Sequence, residues 1–516
     1  MGTQINFYQF DCANNLEKFS AAMAWLREHP NGELYIPRGI YEISGESERK
    51  LYYDVIAGKY GDNPQPYLFR RDFPYTRALD FDGQIGSHVI ADGVTLLFDG
   101  FFEPISLRNC QNISIDGLTI DHRRKPYSRG YIESAELNEC GDGELLVRFS
   151  YDMPETFNHP RLALYRPDTG TFLYYPFAID GQRRVRENLF SLRVTGAKKE
   201  FVGGELYVWH FFHSRPAVCI QNAEKICLSN ITIHAHHGMG IVGHLSKDIE
   251  IEGLSVVPSS GEHMSTNTDA THFASCYGEL VMRNCVFEGQ GDDAVNVHNY
   301  YHVATRLKEK KYNLRCLATD GTHTLAVDLP AVNDVMQLTC RGTLDRAGEY
   351  TVVEANKNDD GTCDVVFDEN LPEDTDSYYL ENVSACPDFV FSHCRARNHL
   401  ARSVLIKTKR AVVEHCIFEH SDLAAVVVSP EESWGEGSSS EHVEIKHNVF
   451  IGCSMRGNQA SAIDVFTGSE ERTGKQHKEI IVKGNTILCP RGLKGVSVEN
   501  TEKAIVENNL IIKSEE

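Results

Sequence analysis

Short segments of one grammar recur along the chain. Each runs apolar, any, apolar, any, then Asn, Gly or His, with another apolar residue soon after. They stand at 112–120, 225–233, 248–256 and 279–287, and again at 411–418, 442–450, 479–487 and 503–511. The alternation predicts strands. The Asn, Gly or His predicts a tight bend, because these residues accept left-handed backbone. Asn230, Gly253 and Asn284 are 23 and 31 residues apart, His415 and His447 are 32 apart, and Asn485 and Asn508 are 23 apart. A period of roughly 20–30 residues, stretched by loops, is the length of a coil. It constrains the chain to an all-β fold, a right-handed parallel β-helix. A β-sandwich also alternates, but it does not repeat a bend at coil length.

A stack of coils has open ends that must be covered. Residues 14–28 place Leu16, Phe19, Ala22, Met23 and Leu26 at helical spacing, which predicts a cap helix. The helix and the strand–turn–strand Leu34-Tyr-Ile-Pro-Arg-Gly-Ile-Tyr41 look like the N-terminal cap of pectinase-type β-helices. Residues 124–215 and 301–387 lack the coil grammar. Their strand-like runs, such as 144–149, 161–166, 323–328, 337–342 and 363–368, are joined by polar turns. Each stretch is too patterned to be a bare loop and reads as a small inserted antiparallel β-barrel. The expected division is therefore 1–123 (cap and first coils), 124–215 (insertion), 216–300 (central coils), 301–387 (insertion) and 388–516 (last coils). Residues 430–441, rich in Ser, Gly and Glu, read as the most flexible internal loop.

The central coils carry the chemistry. Asn267-Thr-Asp269 is followed by Gly291-Asp-Asp293, with 292 − 269 = 23 residues between the first two acids. That gap matches a coil, so Asp269 is expected one rung from Asp292 and Asp293, with strands about 4.8 Å apart. Gly289, Gly291 and Ala294 suit a turn that lets both neighbouring acids face outward. Three stacked carboxylates repel one another, so at least one should hold its proton unusually tightly. A glycosidase uses such a set: one acid for the leaving oxygen and one carboxylate to activate water. Asx turns alone would also explain Asn-Thr-Asp and Gly-Asp-Asp.

The Asn267-Thr-Asp269 and Gly291-Asp-Asp293 pair resembles the signature of polygalacturonases, glycoside hydrolase family 28. The chain is still more similar to glycoside hydrolase family 110, the α-1,3-galactosidases, over residues 5–510. The likeness is carried by the cap, by Asp121-His-Arg-Arg-Lys-Pro-Tyr-Ser-Arg-Gly130 leading into an insertion, and by Thr268-Asp-Ala-Thr-His-Phe273. Gly291-Asp-Asp-Ala-Val-Asn296, directly before a second insertion, completes it. Polygalacturonases carry Gly-His-Gly after the Asp-Asp rung; here His237-Gly238 lies before it. The resemblance implies an inverting exo-hydrolase without cofactor or metal. Its substrate would be a glycan ending in α-1,3-linked galactose, such as a blood group B structure. Asp269, Asp292 and Asp293 would be catalytic. By analogy with polygalacturonases Asp292 would be the acid, and Asp269 and Asp293 would position the water.

A galactose pocket needs polar groups for hydroxyls and an apolar platform for the ring. The candidates are His237, His263, Thr268, His272, Asn296, His298, Arg402, Lys407 and Trp434, with His236 and Trp209 as further options. Each His has an ordinary reading as a bend or half-buried residue, and each Trp as core. His236-His237 and His210 with His213 lack an acidic or thiolate partner at ligand spacing, so no metal is expected.

Net charge is −22, from 51 Lys+Arg against 73 Asp+Glu. An acidic surface repels nucleic acid and anionic membranes and disfavours a polyuronide substrate. The chain has no long apolar run and no basic, apolar leader, which points to no membrane span and a cytoplasmic location, or a periplasmic or secreted one if a leader has been removed. The odd count of 15 Cys fits buried reduced thiols. A homodimer stays open. The competing readings are a polygalacturonase-like hydrolase or lyase on polyuronides and a non-catalytic glycan-binding β-helix. A lyase would need Ca²⁺ ligands that the sequence does not group into a loop.

Overall fold

A computed structural model describes residues 3–61, 64–68, 73, 75–168, 170–317, 328–455 and 461–514. Parallel strands stack in three ladders, each coil giving one strand to each ladder. Glu224–Ser229, Thr232–Ile233 and Ile241–His244 make one such coil. The next coil repeats it in register, with Ile226 beside Ile249, Thr232 beside Ser255 and Ile241 beside Thr271.

The bends between the first two ladders are left-handed, as the Asn/Gly/His rule predicts. Asn230, Gly253, Asn284, His415, His447 and Asn508 have φ of 54°, 66°, 54°, 55°, 57° and 55°. One bend is displaced: the left-handed residue is Gly484 (φ 65°), and not Asn485. Asn485 turns inward instead. Its side-chain oxygen accepts from the Asn448 N–H at 2.9 Å, and its own N–H donates to Asn509 at 3.0 Å. Asn448, Asn485 and Asn509 thus satisfy backbone groups inside the coil. The column continues upward as Cys416, Cys394 and Cys285, small thiols that fill the same place. Beside it Phe287, Phe391, Phe418 and Phe450 stack with ring centroids 6.1, 6.3 and 5.0 Å apart. All 15 cysteines are free, and Cys227 is only half-buried.

The cap helix is Asn15–Glu28, and the Asn14 side chain accepts from the Glu17 N–H. Its buried Phe19, Ala22, Met23 and Leu26 join the coil core. A second helix, Glu46–Ile56, was not legible as a separate element. Its Tyr52, Val55 and Ile56 pack into the core of the first insertion.

That insertion is a seven-stranded antiparallel sheet running from Tyr127 to Trp209. The second closes on itself through six antiparallel strands. Val295–Lys308 is shared: its first residues pair with the coil strand Thr271–Ala274 and its last with the barrel strand Lys311–Cys316. The expected strand at 323–328 falls, except for its last residue, outside the described residues. Among the described residues no helix is long and apolar enough to cross a membrane.

Residues 430–441 are not the loose loop that their composition suggests. They hold a short 3-10 turn, Glu432–Trp434, and Glu436–Gly437 pairs with Asn299 and Tyr300. Ser438, Ser439 and Ser440 are buried. This segment is a strap laid over the third ladder.

Candidate active site

The site lies on the third ladder, on the rungs Thr271–Ala274, Val295–Lys308 and Val404–Ile406. The register pairs Thr271 with Val295, an offset of 295 − 271 = 24. Asp269 therefore stacks on Asp293, and Thr268 on Asp292. The gap of 23 had aligned Asp269 with Asp292. The stack is fixed by backbone bonds: Ala270 N–H donates to Asp293 O, and Ala294 N–H donates to Arg402 O, both at 2.9 Å. The three acids still meet, with a carboxylate oxygen of each within 4.8 Å of the others. Gly291 makes this possible. A Cβ there would lie 2.1 Å from the Asn267 carbonyl oxygen, so a larger residue would force the rungs apart.

Each acid is held differently. Asp293 is 2% exposed. Arg402 grips it through Nε to Oδ1 and Nη2 to Oδ2, both 2.9 Å, and through its backbone N–H to Oδ1 at 2.8 Å. Asp269 accepts from His272 Nδ1 at 2.7 Å. Asp292 is 41% exposed, and among the described residues its ion pair is with Arg161, at 3.9 Å. Arg161 comes from the first insertion and is buried beneath Trp209, Tyr174 and Phe212. It donates to the Asn267 carbonyl at 2.9 Å and to the Gly291 carbonyl, joining the two acid rungs.

These surroundings separate the acids electrostatically. Burial, then the charges of Asp269 and Asp293, push Asp292 up to about 7 against the pull of Arg161 and Arg402. Water reaches Asp292, which screens the burial; repulsion by its two neighbours is the contribution that stands. Burial also drives Asp293 upward, with Arg402 opposing. Three charge-assisted hydrogen bonds from Arg402 favour its carboxylate form.

Several sequence candidates belong to the walls, not to the surface of the pocket. His237 is fully buried among Tyr52, Phe101 and Phe211, because its side chain fills the contact between coil and insertion. His236 is buried with it and bonds the Arg215 carbonyl. Lys407 is 0% exposed and spends its charge on Glu431 and Glu436. His272 and His298 are buried against each other, Nε2 to Nε2 at 2.7 Å. Trp209 is core and covers Arg161. Thr268 is buried and bonds His213 at 3.0 Å. His263 stacks on Tyr165 at 3.6 Å, on the first insertion. Trp434 is half exposed on the strap. Asn296 stands beside His272 on the next rung, its buried carboxamide oxygen without a hydrogen-bond partner among the described residues.

Sequence reasoning missed Arg161, Glu431 and Glu436. Glu431 bonds Arg402 Nη1 at 2.8 Å, and Glu436 bonds Lys407. They lie far along the chain from the acids, and no local motif marks them.

Among the described residues three clusters bring metal-ligand groups together: the acid trio, His122 with His236 and His237, and His272 with His298 and Glu436. The guanidinium of Arg402 already neutralises part of the first. The second is a dry aromatic box beside the cationic Arg124 and Lys125, a poor place for a dication. The third already has Lys407 on its carboxylate.

No family model matches the chain. It is 26% identical over 524 residues to an α-1,3-galactosidase A of Shewanella woodyi, covering 96% of this chain and 83% of that protein. To an α-1,3-galactosidase A of Bacteroides fragilis it is 23% identical over 513 residues, 93% of this chain and 82% of that one. To an α-1,3-galactosidase B of Akkermansia muciniphila it is 24% identical over 557 residues, 100% of this chain and 67% of that one. Among solved structures, an exopolygalacturonase from Thermotoga maritima superposes with TM-score 0.38 at 11% identity, over 98% of this chain and 91% of that one.

Proposed function

We propose that the chain is a glycoside hydrolase that removes terminal α-1,3-linked galactose, with inversion. One observation carries the chemistry: a half-open carboxyl, Asp292, shifted toward 7 beside two buried carboxylates held by cations. Asp292 donates its proton to the departing glycosidic oxygen. Asp269 and Asp293 hold and deprotonate the water. The acids stand closer than the roughly 6.5–9.5 Å usual for an inverting pair. The single-displacement reading is supported instead by occupancy. Arg402 engages both oxygens of Asp293, which leaves that acid no unencumbered oxygen for attack, and His272 engages one oxygen of Asp269. The likeness to named α-1,3-galactosidases over most of the chain supports the substrate class.

A polyuronide substrate would need cations facing it. Arg402 and Lys407 are committed to ion pairs with protein carboxylates, which disfavours that reading. The test is galactose release from α-1,3-galactobiose set against product release from oligogalacturonate. Turnover of the first alone supports the proposal; turnover of the second alone overturns it. The 15 free thiols favour a reducing compartment.

A further inference from the structure

His298 and Glu436 touch no member of the acid trio through a hydrogen bond, yet both are buried within the same ladder. Their role follows from where the protons must be. His298 Nδ1 lies 2.9 Å from the Asn299 carbonyl oxygen. A carbonyl only accepts, so Nδ1 carries the proton. Burial keeps this imidazole neutral, so its Nε2 is a lone pair. The 2.7 Å contact between His298 Nε2 and His272 Nε2 is then a bond in which His272 donates. On its other side His272 Nδ1 lies 2.7 Å from the Asp269 carboxylate, and it donates there too. Both nitrogens of His272 carry protons, so it is an imidazolium. Burial opposes that charge, but the bond to Asp269 and the charge of Glu436 outweigh it, with Lys407 opposing.

The chain of contacts continues. Glu436 lies 3.8 Å from His298 Nε2 and bonds Lys407. Lys407 reaches Glu431 at 2.6 Å, Glu431 reaches Arg402 at 2.8 Å, and Arg402 holds Asp293. The Glu436–His298 contact is too long for a hydrogen bond, and there Glu436 acts through its charge on the neighbouring His272. The other links pair opposite charges or a donor with an acceptor, and the ends are the two acids stacked on adjacent rungs.

We propose that His272, His298, Lys407 and the strap acids Glu431 and Glu436 form a positioning ring that fixes Asp269 and Asp293 as carboxylates facing one water. Asp292 stands outside the ring and is the member of the trio free to carry the proton. None of the ring residues need touch the sugar. This rests on the hydrolase reading above and gives its buried cations and histidines a role other than sugar binding.

The test uses His298→Leu, which removes the acceptor for His272, His298→Gln, which restores one, and Glu436→Gln. Histidine-labelled protein is titrated by NMR, with the His272 signal assigned from His272→Asn. In the wild type His272 is charged at pH 7. In His298→Leu its midpoint falls by about a unit or more, and His298→Gln recovers it. On α-1,3-galactobiose His298→Leu loses about 10–100-fold in kcat with KM nearly unchanged, and Glu436→Gln moves the same way. A neutral His272 in the wild type overturns the ring. So does a His298→Leu that raises KM at constant kcat, which would mean sugar contact. If the wild type leaves galactobiose intact, the hydrolase reading fails, while the NMR titration still decides the ring. If His298→Leu does not fold, Glu436→Gln supplies both readouts.

Discussion

Asp292 differs from its neighbours in what holds it: water on one side, Arg161 at 3.9 Å on the other, and two carboxylates within 4.8 Å. Two results follow. Asp292→Asn lowers kcat by about 10²–10⁴-fold, the usual worth of a general acid. In the wild type, kcat/KM falls with rising pH through about 7 as the acid loses its proton. The stability sign runs the same way. A carboxyl raised in the folded state is favourable at low pH, and that contribution is lost as pH climbs from its unfolded value, about 4, to about 7. Asp292→Asn should therefore melt higher than the wild type at pH 8 and show little difference at pH 4. Arg402→Ala leaves Asp293 buried without its cation, while Glu431 keeps Lys407, and should cost about 3–5 kcal/mol by denaturant titration. The trio was legible because Asn-Thr-Asp and Gly-Asp-Asp are local motifs. Arg161 and Glu436 were not, since an insertion and a later coil deliver them. Lys407 and His298 were read as pocket residues because sequence shows a side chain's type and not which charges already claim it.

At the level of elements, the coil grammar was legible because its bend residues need positive φ, which Asn, Gly and His tolerate best among the residues present. The misplaced bend at Asn485 has a physical reason. Gly484 takes the left-handed turn, which frees an amide side chain to serve the interior ladder. Asn485→Ala removes that ladder's middle rung, leaving the Asn448 N–H without its acceptor. It should destabilise the protein by about 1–3 kcal/mol and leave kcat unchanged, as seen by calorimetry beside an activity assay. Gly291→Ala tests the opposite end of the range. Its Cβ would meet the Asn267 oxygen at 2.1 Å, so activity should collapse even where the fold survives. The strap at 430–441 was misread because its Ser and Gly residues look like a linker; they are small so that the segment can lie close on the ladder.

Across the whole molecule, the coil stack supplies a rigid rung spacing and the first insertion delivers Arg161 to the acid rungs, while a strap from a later coil closes the charge network. No single stretch contains the site, so composition and net charge say little about it beyond disfavouring polyanionic partners. The molecular claim is a reaction with a stereochemical signature. The most direct measurement is proton NMR of the first galactose released from α-1,3-galactobiose. β-Galactose is expected first, with its release abolished in Asp292→Asn. α-Galactose as the first product would mean a covalent intermediate on one of the two carboxylates that the account assigns to the water, and would contradict it.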